Sequence, residues 1–85
     1  MKSYEQLINI KNLKKGDLFI NNGNEQHSDC TLIYLGTRRS RWGGIRGYIF
    51  YLCEIKEELA YYPIHKKING KLQSFIRIEP MYKFY

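Results

Sequence analysis

Residues 31–55 read TLIYLGTRRSRWGGIRGYIFYLCEI, and this stretch decides the fold. In Thr31 to Thr37, Leu32 and Tyr34 share one face, with Ile33 and Leu35 on the other. From Gly47, residues Ile49, Tyr51, Cys53 and Ile55 alternate with Tyr48, Phe50, Leu52 and Glu54. A period of two over seven to nine residues predicts strands. The first is apolar on both faces, as in a small barrel. The two are expected to pair as an antiparallel hairpin across the segment between them.

That segment, Arg38-Arg39-Ser40-Arg41-Trp42-Gly43-Gly44-Ile45-Arg46, holds four of the chain's five arginines and its only tryptophan. No acid lies between Asp29 and Glu54, so the sequence supplies no local partner for this charge. Flexible glycine, planar guanidinium and one large aromatic suit an exposed contact loop. The competing expectation is a solvated hairpin tip with Trp42 folded back over the barrel mouth.

Towards the N-terminus, Ser3 and Gln6 have the spacing of a capping box, and Tyr4, Leu7 and Ile8 follow at helical spacing. They predict a short helix over 3–10. Leu18, Phe19 and Ile20 form a first strand, closed by Asn21-Asn22-Gly23-Asn24, and a polar loop runs on through Asp29. Towards the C-terminus, residues 56–59 read as a turn and Tyr61 to Ile68 as a fourth strand, which Pro63 confines to an edge or a bulge. Asn69-Gly70 is the strongest hairpin signal, because both residues tolerate the positive φ of a type I′ turn. Lys71 to Glu79 is the fifth strand. The tail 80–85, rich in aromatics, is expected to dock on the body or to add a strand.

Five short strands with a leading helix predict a mainly β, five-stranded antiparallel small barrel over 17–79, in a single domain of residues 1–85. The lead-in Leu13-Lys14-Lys15-Gly16-Asp17-Leu18-Phe19 resembles the start of many SH3-like barrels, where a Gly-Asp turn feeds the first strand. The structural alternative is an open antiparallel sheet with the helix packed on one face.

At 85 residues the chain has room for one core, and a domain of this size buries only about 60 % of its unfolded surface. The net charge of +6 favours polyanions or an acidic protein surface. Two cysteines, Cys30 and Cys53, do not make a disulfide scaffold. With no signal-type or bilayer-length apolar run, the expectation is a cytoplasmic protein with reduced thiols and no membrane partner. The chain has no valine, one alanine and abundant Lys, Asn, Ile and Tyr, a composition that follows from A/T-rich codons of a low-GC bacterium or its phage.

The candidate binding residues are therefore Arg38, Arg39, Arg41, Trp42 and Arg46, with Lys66, Lys67 and Lys71 as an extension around the Asn69-Gly70 turn. Arginine forks grip phosphates, and an indole stacks on a base or fills a partner's pocket. The plainer role of the lysines is to protect an edge strand from aggregation. Eight tyrosines offer further contact area, although codon bias and strand propensity also account for them. Glu54, Glu57 and Glu58 form an acidic corner. His27 and Cys30 have no second pair at zinc-finger spacing, so neither a metal nor another cofactor is expected.

These residues predict a non-enzymatic module that engages nucleic acid, or a nucleic-acid-binding protein, through residues 38–46. A different class of function fits the same surface: a phage-type inhibitor of a host defence nuclease, occupying an acidic nucleic-acid-binding groove. A third is a ribonuclease. His27 and His65 offer a general acid and base, with an arginine to stabilise a phosphorane, and the Gly16-Asp17 lead-in resembles that of MazF-type ribonuclease toxins, although no catalytic motif matches.

Overall fold

The computed structural model describes residues 6–82. Among the described residues nine strands run in chain order: β1 (Gln6–Asn9), β2 (Leu18–Asn21), β3 (His27–Ser28), β4 (Cys30–Arg39), β5 (Ile45–Leu52), β6 (Glu57–Tyr61), β7 (Ile64–Ile68), β8 (Lys71–Ile78) and β9 (Met81–Tyr82). They form three antiparallel sheets, ordered β2-β4-β5-β6, β1-β8-β7 and β3-β9. The protein is mainly β, as the alternation predicts, but no barrel closes among the described residues. The break falls at Tyr62-Pro63, where the expected fourth strand divides into β6 and β7. Proline has no N–H to give a ladder, so the chain leaves one sheet there and enters another.

The two larger sheets share one core. Cys30, Leu32, Tyr34, Phe50 and Leu52 from the four-stranded sheet pack with Ile8, Ile76 and Ile78 from the three-stranded one. Phe50 is its hub, fully buried, with ring centroids 5.1 Å from Tyr34, 5.2 Å from Tyr61 and 6.1 Å from Phe19. The contacts with Phe19 and Tyr61 are edge-on, the arrangement that the ring quadrupoles favour.

The helix expected over 3–10 is not formed in the part described. Leu7 and Ile8 lie in β1, opposite Arg77 and Ile76, and only a single 3-10 turn follows at Ile10–Asn12. Two turns of helix are marginal in water, whereas β8 offers an open ladder and a place for Ile8 in the core. Asn9 caps the 3-10 turn, accepting from the Lys11 N–H at 2.9 Å. Ser3 and Tyr4, invoked for the helix, lie outside the described residues. Of the structural alternative, the open antiparallel sheet is present and the packed helix is not.

The turn read at 56–59 lies three residues earlier. Lys56, at φ 55°, ends the reversal, and Glu57 to Tyr61 pair with Leu52 to Tyr48. The lead-in at 13–19 forms its turn: Asp17 accepts from the Lys14 N–H at 3.0 Å, and Gly16 and Asp17 bond both backbone groups of Tyr34. Asn69 and Gly70 take positive φ between Ile68 and Lys71, as a type I′ turn requires. Met81–Tyr82 add a strand beside β3, and Met81 packs against the core; residues 83–85 lie outside those described.

Two predictions follow from this core. Phe50→Ala is expected to cost about 3–5 kcal/mol, read as a lowered urea midpoint; a loss under about 1 kcal/mol would remove Phe50 as the hub. Burial, aided by the Glu54 carboxylate, pushes the Cys30 thiol from 9.0 up to about 11. Burial raises Tyr34 and Tyr61 as well. The folded state thus keeps protons that the unfolded chain releases. This contribution is complete below pH 9 and is lost as the pH rises towards 11. Urea midpoints should fall across that window, and less steeply in Cys30→Ala.

Candidate nucleic-acid interface

Strict alternation would send Arg38 to the same face as Leu32 and Tyr34, into the core. It is rescued by a β-bulge. Tyr34 pairs with Phe50 but Gly36 with Ile49, leaving Leu35 as an extra residue on β4. Gly36, at φ 121°, provides backbone geometry that a side chain resists. Beyond the bulge the parity is reversed, and Arg38 stands opposite Gly47 on the outer face of the four-stranded sheet. There it donates to Glu58 Oε2 at 2.7 Å. The acid missing from the local sequence is thus supplied by β6, two strands away.

A second irregularity follows. Arg38 pairs with Gly47 and Arg39 with Ile45, so Arg46 is the extra residue on β5. Bulges re-aim side chains, and the two together place Arg38 and Arg46 around one cleft. Its volume is about 240 Å³, and Gly47, Ile49, Ala60 and Tyr62 complete the lining. Gly47 and Ile49 are buried, whereas Tyr62 is 69 % exposed.

Above the cleft the hairpin tip is a tight, internally bonded turn. Ser40 N–H donates to the Gly44 carbonyl at 2.8 Å, Gly43 N–H to the Ser40 carbonyl at 3.1 Å, and Trp42 N–H to Ser40 Oγ at 3.3 Å. Gly43 takes φ 87°. Trp42 sits on this turn with 93 % of its surface exposed, so the expectation of an indole folded over the body is overturned. Arg39 and Arg41 are exposed and pair with no carboxylate among the described residues.

Lys66, Lys67 and Lys71 lie on the β7–β8 hairpin, and none lines the cleft. β7 is a sheet edge, where lysine protects. Lys67 stands opposite Leu72 and Lys66 opposite Gln73, so the two point to different faces. The two hairpins are nonetheless neighbours: a hollow of about 210 Å³ is lined by Tyr48 of β5 and by Leu72, Gln73 and Ser74 of β8.

The acidic corner is taken up by the fold. Glu54 accepts from the Thr31 N–H at 2.6 Å, and Glu58 holds Arg38. His27 contacts Asn24 at 3.2 Å and His65 contacts Ser74 Oγ at 2.7 Å, on different sheets. Cys30 is buried in the core, and no three His, Cys, Asp or Glu side chains cluster as a metal needs among the described residues. No helix there is long and apolar enough to cross a membrane.

Sequence reasoning counted Gly47 among the glycines that let the backbone of the basic loop approach a partner, but did not place Ile49, Ala60, Tyr62 or Glu58 at this site. Tyr62 carried a signal as one of a tyrosine pair before Pro63, and Glu58 as part of the acidic corner. The others are brought in by register. The chain matches no family model, no curated protein and no solved structure, so its own residues carry the functional argument.

The geometry of Trp42 is open to a direct check. Its fluorescence should be that of a fully hydrated indole, with acrylamide quenching in the native protein close to that in urea. A blue-shifted, protected emission would contradict this placement.

Proposed function

We propose that the protein is a non-enzymatic binding module whose arginine hairpin captures nucleic acid. The observation that carries this reading is the tip itself: a fully solvated Trp42 between Arg39, Arg41 and Arg46. A small domain gains stability from burying its tryptophan, and this one contributes nothing to the core. Guanidinium groups without carboxylate partners have donors to spare for phosphates, and the indole has two open faces for stacking. Capture would be electrostatic first, with the aromatic adding contact area that is indifferent to sequence.

One observation favours the second reading, a protein partner whose own nucleic-acid-binding groove the hairpin would occupy, as a phage-type inhibitor of a defence nuclease does. Leu18 and Ile20 of β2 are more than half exposed on the same outer face, beside Ile33 and Tyr51. That apolar strip suits a protein surface better than a phosphate backbone.

The test is fluorescence anisotropy with labelled single-stranded RNA and duplex DNA at low and near-physiological salt, with Arg39→Glu/Arg41→Glu as control. Three phosphate contacts on a single strand, one for each of Arg39, Arg41 and Arg46, predict a log–log salt slope of about −2, at roughly −0.7 per phosphate. The double variant should abolish binding. Absence of binding at low salt would overturn the nucleic-acid reading and leave the protein groove.

A further inference from the structure

Phosphate capture needs only the exposed arginines, and leaves the cleft beneath them without a use. We infer that this cleft is a seat for one unpaired nucleobase, which makes the protein selective for bases free of a duplex. The inference rests on the nucleic-acid reading above and names the ligand of the same site.

Its floor is apolar and bare. Ile49 is only 7 % exposed, and neither Gly47 nor Ala60 carries a side chain beyond Cβ. A Cβ built on Gly47 would stand 3.4 Å from that of Ala60 and 4.0 Å from the Tyr62 ring, so the absent side chain leaves room beside that ring. Tyr62 is the wall, with most of its surface open to a stacking partner. Arg38 lines the cleft, and Glu58, outside the lining, is held 2.7 Å from it, so a donor and an acceptor stand side by side next to the opening. The edge of a base carries both donors and acceptors, so this pair is complementary to it. A phosphate alone, which only accepts, would be repelled by Glu58.

A volume of about 240 Å³ admits a planar ring and excludes a helix or a duplex. A paired base is covered on both faces and occupied along its edge, so a duplex presents only its backbone here. On a single strand, one base enters the cleft while neighbouring phosphates reach Arg39, Arg41 and Arg46. Base–aromatic stacking of this kind is sequence-tolerant, because every base has a flat face.

The experiment compares an intact single strand with an abasic strand of equal length and charge, by anisotropy at fixed salt. The intact strand is expected to bind about five- to a hundredfold more tightly, the range that one lost base stack spans. Tyr62→Ala, which removes the wall, and Ala60→Leu, which fills the floor from an exposed position, should each bring the ratio near one. Far-UV circular dichroism and the urea midpoint confirm that both fold. Equal affinity for the two strands, with both lost in Arg39→Glu/Arg41→Glu, overturns the base seat and leaves phosphate capture standing. A ratio abolished by Trp42→Ala but untouched by Tyr62→Ala and Ala60→Leu also overturns it, moving the stack to the tip. No binding to either strand overturns both readings.

Discussion

The β4–β5 ladder carries Leu32 and Tyr34 on one strand and Phe50 and Leu52 on the other into a single core, and every other feature hangs from its register. Because side chains on a strand alternate with a period of two, one extra residue transfers everything beyond it to the opposite face. Leu35 is that residue. Below it, β4 feeds the core; above it, β4 presents Arg38 to solvent. Had the ladder run unbroken, Arg38 would face the apolar interior, where an unpaired guanidinium is costly. The bulge separates the stabilising end of the hairpin from its contact end.

Stability and contact are also divided between aromatic residues. Phe19, Tyr34, Phe50 and Tyr61 meet around one buried ring. Trp42 and Tyr62 stay on the surface, the first at the tip of the β4–β5 hairpin and the second just past the end of β6. An 85-residue chain has little core to spare, so leaving the largest side chain in water forgoes a substantial hydrophobic gain. Arg38 and Glu58, both largely exposed, add little to stability, since screened surface pairs seldom do. Their evident effect is to fix the orientation of one guanidinium at the cleft.

The absence of a closed barrel has a consequence for the surface. A barrel of five strands would hide most of its edges, whereas here β2 and β6 bound one sheet and β1 and β7 the other. Lys66 and Lys67 sit on such an edge, which accounts for them without a ligand. Glu57 and Glu58 give β6 similar protection. β2 carries no charge, and its own Leu18 and Ile20 are exposed.

Strand identity from 31 to 52, the Gly16-Asp17 turn, the Asn69-Gly70 hairpin and the concentration of arginine at 38–46 were all legible in the sequence. Each depends on residues within a few positions of one another: alternation, positive φ at Asn69 and Gly70, a short carboxylate bonding its own turn. What the sequence misreported was decided at long range. Leu7 and Ile8 carry helical spacing, yet β8 holds them as a strand. Arg38 has no acid near it in the chain, yet Glu58 is brought to it by β6. The cleft at Gly47, Ile49, Ala60 and Tyr62 exists only because two ladders and two bulges meet at one place. Local propensity and turn chemistry are written residue by residue, whereas the face a side chain presents is a sum over the whole ladder, and a single extra residue changes its sign.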